Sequence, residues 1–195
     1  MDEHRAAANA IRGRARVWVP LAVVGVLLAL AAGEWAFDRS QPDKEALQAG
    51  TVIEFGSDRE ASVEVGEGWS VDRSGTNLDM EVVLVHGEVS VTLDLVRFPR
   101  IDGATPKEMW AGMDRVLDAA RYGGTEVDLG EPASFTTANI DDGLSGDLRV
   151  GDQSGTAYVL PDSDGAKAVE ARVLGPDAET VAAEVIDSIT FKEDA

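Results

Sequence analysis

The stretch LDMEVVLVHGEVSVTLDLVRF (residues 78–98) decides the fold class. In its second half Val89, Val91, Leu93 and Leu95 alternate with Ser90, Thr92 and Asp94, which puts apolar side chains on one face of a strand and polar ones on the other. The first half, 78–85, is equally rich in strand formers, and His86-Gly87 closes the two into a hairpin. Directly afterwards the pattern changes period. Thr105-Pro106-Lys107-Glu108 combines an N-cap threonine, proline at the first helical position and glutamate three residues after the cap, which is a capping box. Met109, Trp110, Met113, Val116, Leu117 and Ala120 then form one apolar helical stripe, and Gly123-Gly124 ends it.

Working outward, short strands are expected at 51–55 and 61–65, with Gly66-Glu67-Gly68-Trp69 as a turn carrying one large aromatic. After the helix a second series is expected at 133–138, 144–150, 155–160 and 168–174, separated by turns rich in Asp, Ser and Gly, and it reads as an antiparallel meander. A closing helix over 176–188 carries Ala178, Val181, Ala182, Val185, Ile186 and Ile189 on one face, and the chain then reaches Phe191. Strands, helix, strands, helix is the order of an α+β domain, an antiparallel sheet covered by two helices, and not of a doubly wound parallel sheet.

Upstream, VWVPLAVVGVLLALAAG (residues 17–33) is an uncharged run preceded by Arg5, Arg12, Arg14 and Arg16. At 1.5 Å per residue it spans about 25 Å, and about 31 Å when continued to Phe37, close to the hydrocarbon core of a bilayer. The basic flank keeps the N-terminus cytoplasmic and sends the rest outward. Trp35 and Phe37 suit the outer interface, and Glu34 sits at the outer edge of the span, where it either snorkels to the interface or pairs with a partner subunit. Ala29-Leu30-Ala31 also has the small-x-small pattern of a cleavage site, so a removed signal peptide is the competing reading. The expected organisation is a cytoplasmic N-terminus at 1–16, a single transmembrane helix at 17–37, a stalk at 38–50 and an extracytoplasmic domain at 51–195, at the cell membrane.

Composition narrows the chemistry. The chain contains no cysteine, which removes disulfides, thiolate metal sites and lipidated cysteine together. From residue 38 onward there are 33 acidic and 13 basic residues, a formal charge of −20, so the domain repels nucleic acid and anionic lipid surfaces. The acids are scattered, as on a solvated surface; a cation-binding face, a basic protein partner or adaptation to high salt are the alternatives. Arginine outnumbers lysine and Ala, Gly, Val and Asp abound, a bias that fits a GC-rich genome.

The early strand running into Gly68-Trp69, the mid-chain amphipathic helix and the closing helix ending Ser188-Ile189-Thr190-Phe191 together resemble the Mog1/PsbP-like fold, and in particular the LpqN-like envelope proteins of actinobacteria. The likeness spans about residues 61–191, with Gly66 standing where members often carry proline. The resemblance implies an adaptor or accessory subunit. PsbP-like proteins support a membrane photosystem, Mog1 binds a small GTPase, and LpqN-like proteins associate with envelope enzymes. It brings no catalytic motif with it.

Local chemistry agrees. His86 is the only histidine after the apolar run and is expected in an exposed turn. Ser145 and Ser154 sit in turn and strand contexts that do not match a nucleophile elbow. Asp79, Glu81, Glu88 and Asp94 give the first hairpin an acidic face, read as solvated. Asp162-Ser163-Asp164-Gly165 and Asp141-Asp142-Gly143 have turn chemistry and lack the spacing of a calcium loop. No catalytic group, cofactor or metal ligand is therefore expected, and the chain is read as a non-enzyme. Trp110 belongs to the helix stripe. Trp69 is either core or an exposed anchor for a partner, and with Glu34 and Trp35 it forms the expected partner-binding set. The leading expectation is a membrane-anchored accessory or scaffold subunit of a membrane or envelope protein assembly. The alternatives are a receptor for an envelope lipid, glycan or cation, and a hydrolase using a carboxylate pair.

Overall fold

The computed structural model describes residues 43–98 and 103–192. The N-terminal apolar run at 17–37, with Glu34 and Trp35, lies outside the described residues. Among the described residues no helix is long and apolar enough to cross a membrane.

Among the described residues twelve strands and two helices follow one another: β1 Lys44–Ala46, β2 Thr51–Phe55, β3 Ala61–Val65, β4 Ser70–Asp72, β5 Glu81–His86, β6 Val89–Arg97, α1 Pro106–Tyr122, β7 Val127–Leu129, β8 Ala133–Phe135, β9 Gly143–Val150, β10 Gln153–Pro161, β11 Lys167–Leu174, α2 Ala178–Asp187 and β12 Thr190–Phe191. Nine strands form one antiparallel sheet in the order β1-β4-β5-β6-β11-β10-β9-β7, with β8 pairing β9 beside β7. The expected hairpin and meander are both present, and the β6–β11 ladder from Lys167↔Arg97 to Leu174↔Ser90 joins them. A smaller sheet, β12-β3-β2, lies apart from it.

The two helices cover opposite faces of the large sheet, so the domain has three layers. Along β10, Tyr158 and Leu160 enter one core with α2 residues Ala178, Ala182, Val185 and Ile186 and with Phe55, Val63 and Val65 of the small sheet. The intervening Ala157 and Val159 enter a second core with Met109, Trp110, Met113 and Leu117 of α1. This is the two-residue strand period feeding two layers. α1 begins with the expected capping box: Thr105 Oγ1 accepts from the Glu108 N–H at 3.3 Å, and Glu108 Oε2 accepts from the Thr105 N–H at 3.0 Å. Near its other end the Gly124 N–H donates to the Arg121 carbonyl.

Four differences from the sequence reading stand out. Residues 78–80 are a turn, because the Met80 and Glu81 N–H groups both donate to the Asn77 carbonyl. Val116, counted in the helix stripe, is 68% exposed. The short strands β1, β4, β7 and β12 were not expected. Of the stalk placed at 38–50, residues 43–50 belong to the domain. Lys44–Ala46 pair with β4, and Arg73 closes the edge on Glu45 at 2.6 Å. Polar residues suit an exposed edge strand and a stalk equally, and only the pairing separates the two.

Candidate binding surface

Among the described residues α1 packs on β7, β9 and β10, and the other half of its sheet face, over β5, β6 and β11, carries a regular lattice of side chains. Register and alternation place three rows there: Glu81–Asp94–Glu170, Val83–Thr92–Arg172 and Val85–Ser90–Leu174. The patch measures about 14 by 10 Å from strand rise and spacing. All its members are half-buried except Glu170, which is 9% exposed.

Electrostatics make the first row distinctive. Arg172 Nη2 donates to Asp94 Oδ2 at 2.6 Å and to Glu81 Oε2 at 3.3 Å, so one guanidinium clamps two carboxylates. Glu170 lies beside Asp94 in register and, among the described residues, accepts no hydrogen bond. Burial, and next the Asp94 charge, push its carboxyl up to about 7, with Arg172 pulling the other way. The Glu81 carboxyl is also raised, first by burial and then by Asp94. Three carboxylates share one arginine, and Glu170, the most buried of them as a residue, keeps its oxygens within reach of water.

Two of the larger cavities lie elsewhere. One, of about 650 Å³, opens over the opposite face of β7, β9 and β10 at the start of α2, among Asp128, Asp147, Arg149, Thr156 and Glu179. The other, of about 500 Å³, sits beside the β10–β11 hairpin, among Asn139, Asp141, Asp162, Lys167, Phe191 and Lys192. Neither includes Glu170 or Asp94. In the second, Asp162 is committed to the fold: its Oδ1 accepts from the Lys167 N–H at 3.1 Å, and Lys167 Nζ stands 3.9 Å from Oδ2 and 4.0 Å from Glu60.

Trp69 is 4% exposed and packs in the core with α2 and the small sheet, so it offers no exposed ring, and its reading as a partner anchor is corrected. His86 is not a free turn residue. Its ring lies 5.3 Å from that of Trp69, and a Cβ on Gly68, which has φ +85°, would stand 2.7 Å from its Nε2. The Gly68-Trp69 signature is thus a packing device. Trp110 is buried over Gly146, where a Cβ would meet the indole at 3.0 Å; that glycine beside Ser145 makes room for a ring. The aspartates of 162–165 act in their turn, Asp164 Oδ1 accepting from the Ala166 N–H at 2.9 Å. Among the described residues no group of His, Asp and Glu is arranged to hold a metal ion. Glu34 and Trp35 lie outside the described residues.

Of the acidic hairpin face, Glu81 and Asp94 do come together. Glu170 and Arg172, which complete the row, were missed because the β6–β11 pairing brings them in from 76 residues further along the chain. A charge pattern EAR inside an apolar strand, at 170–172, was the available signal.

No family model matches the chain. No curated protein matches it in sequence. In structure it is similar to the Ran-binding protein Mog1p of Saccharomyces cerevisiae, with a TM-score of 0.46 and 13% sequence identity, over 74% of this chain and 96% of that one. A likeness at this level says nothing of what the chain binds.

Proposed function

We propose that the chain is a membrane-anchored accessory or scaffold subunit of a membrane or cell-envelope assembly. Its α+β domain, read as Mog1/PsbP-like and akin to the LpqN-like proteins of actinobacteria, is held outside the membrane by the span at 17–37 and acts by binding protein. The observation that carries the binding role is the sheet face over β5, β6 and β11, which among the described residues α1 leaves half-covered and which sets Val83, Val85 and Leu174 beside a row of carboxylates. Flat, mixed surfaces of this kind suit macromolecules better than small substrates, which need enclosure.

The carboxylate-pair hydrolase gains little from the geometry. Asp94 and Glu170 are neighbours, as acid and base chemistry would require, but among the described residues they stand on an open face with no wall to position a substrate. A lipid receptor fits poorly, because the two larger cavities are polar grooves lined by carboxylates and hydroxyls and a smaller one of about 470 Å³ at the end of α1 is ringed by Arg121, Glu126, Asp128 and Arg149.

The test is purification of the tagged full-length protein from its native cells in mild detergent after crosslinking, with mass spectrometry of what accompanies it, alongside protease protection of the domain in intact cells. A reproducible, stoichiometric membrane or envelope protein is expected, and so is cleavage of the domain from outside. A protein that runs alone at monomer size overturns the binding role; a domain shielded in intact cells but cleaved after lysis overturns the topology.

A further inference from the structure

We infer that β1 is a releasable strap: residues 43–47 leave the β4 edge while the rest of the domain stays folded, and their release lengthens the domain's reach from its membrane anchor. This rests on the anchored reading proposed above and adds a device that regulates it.

Little holds the strap in place. Lys44, Glu45 and Ala46 are all exposed, and Leu47, half-buried, packs at the rim of the core. The backbone pairs with a strand of three residues, from Lys44↔Asp72 to Ala46↔Ser70. At its ends the Leu47 N–H donates to the Trp69 carbonyl at 2.9 Å and the Arg73 N–H to the Asp43 carbonyl at 2.8 Å. Arg73 clasps Glu45 Oε2 through Nη2 at 2.6 Å and Nε at 3.0 Å, but both side chains are half exposed, where ion pairs contribute little. Exposed backbone bonds with few apolar contacts mark a segment that opens below the global unfolding free energy.

What lies beneath the strap keeps its own support. β4 stays paired with β5 through Ser70↔Val85 and Val71↔Leu84. Trp69 is buried against His86 and the α2 core. The turn after β4 is tied by Asp72 Oδ1, which accepts from the Ser74 N–H at 2.9 Å and the Gly75 N–H at 3.2 Å. Beyond the strap the Gly50 N–H donates to the Val65 carbonyl, where the chain joins the small sheet. Release therefore stops there and leaves both cores whole.

The position of the strap gives release its consequence. With a span ending at 37, residues 38–42 separate it from a docked strap and residues 38–47 from the domain after release, so the free tether doubles from five residues to ten. Fully extended, that is a change from about 17 Å to about 33 Å. A pull through the tether also reaches β1 before any other described element.

The register supplies a test. Ala46 stands opposite Ser70 and the Leu47–Trp69 bond flanks them, the mark of a pair that exchanges no backbone bonds. Its Cα atoms lie about 4.5 Å apart, within disulfide range. The chain has no cysteine of its own, so Ala46→Cys with Ser70→Cys locks the strap alone. Full-length wild type, this double variant oxidised and reduced, and Arg73→Ala are placed in phosphatidylcholine vesicles. Amide exchange is followed by mass spectrometry, and energy transfer is measured from a dye on a C-terminal tag to acceptors in the bilayer. In wild type the Glu45 and Leu47 amides should exchange on the order of a hundredfold faster than those of β6 and β11. Arg73→Ala should speed them a further two- to fivefold, roughly the effect of an exposed ion pair. Oxidation of the double variant should slow them about tenfold or more and raise energy transfer, and reduction should reverse both. Exchange of β1 in step with β6 and β11, in wild type and Arg73→Ala alike, overturns the strap. Fast exchange with equal energy transfer in the oxidised and reduced forms overturns its effect on reach. A wild type that does not enter the vesicles overturns the anchored reading itself, and this inference with it.

Discussion

Replacing Glu170 with glutamine should stabilise the domain by an amount set by pH. Burial, and then Asp94, lift the carboxyl from its ordinary 4.5 to about 7. The folded chain therefore keeps that proton up to about pH 7, whereas the unfolded chain releases it near 4.5. Between those values the folded state binds more protons, so stability falls as pH rises through the window. Below it both states are protonated and the group is neutral in its effect; above it both are ionised and the full cost is present. At about 1.4 kcal/mol per tenfold change in proton affinity, that cost is on the order of 3 kcal/mol. Glutamine has nearly the same shape and never ionises. The variant should match wild type near pH 4 and exceed it at pH 8 by up to about 3 kcal/mol, which for a domain of this size raises the melting midpoint by about 6–12 °C. Circular-dichroism melts of both proteins at pH 4, 6 and 8 measure it. A difference that does not grow with pH, or a variant less stable at pH 8, refutes the reasoning, because Glu170 would then be solvated or already paired.

Other substitutions probe the fold more directly. Trp69→Ala should cost about 3–5 kcal/mol in urea unfolding, as for a large core aromatic; an unchanged midpoint would return Trp69 to the surface. Gly155→Ala places a Cβ 1.8 Å from the Val173 carbonyl oxygen. Since backbone must move, a loss of about 3 kcal/mol or more is expected, with faster amide exchange along β10 and β11 as the readout. Thr105→Ala removes the cap of α1 and should cost about 1 kcal/mol, seen as a lower denaturation midpoint with the fold intact.

Much of the architecture was legible because it is written locally. The alternation at 89–95 and the capping box at 105–108 each report a structure built from neighbours within a few residues, and β6 and α1 formed where they were expected. The strands missed, Lys44–Ala46, Ser70–Asp72, Val127–Leu129 and Thr190–Phe191, are two or three residues long. Such segments have no period to read, and a partner strand distant in the chain makes them strands. Trp69 shows the same limit for side chains. A tryptophan after a glycine-rich turn suits a core or an interface, and what decided for the core was the packing of α2 and the small sheet around it.

The candidate surface divides in the same way. Sequence by itself determined the α+β class, the strand–helix order, the acidic character of the domain and the polar face of the first hairpin, including Glu81 and Asp94, because these follow from composition and short-range periodicity. The tertiary structure alone decided that α1 and α2 take opposite faces, that α1 covers only half of its face among the described residues, and that Glu170 lies beside Asp94 while Arg172 clamps the acids. The reason is register. A pairing between β6 and β11 sets which side chains share a row, and shifting it by one residue would send Glu170 and Arg172 to the other face.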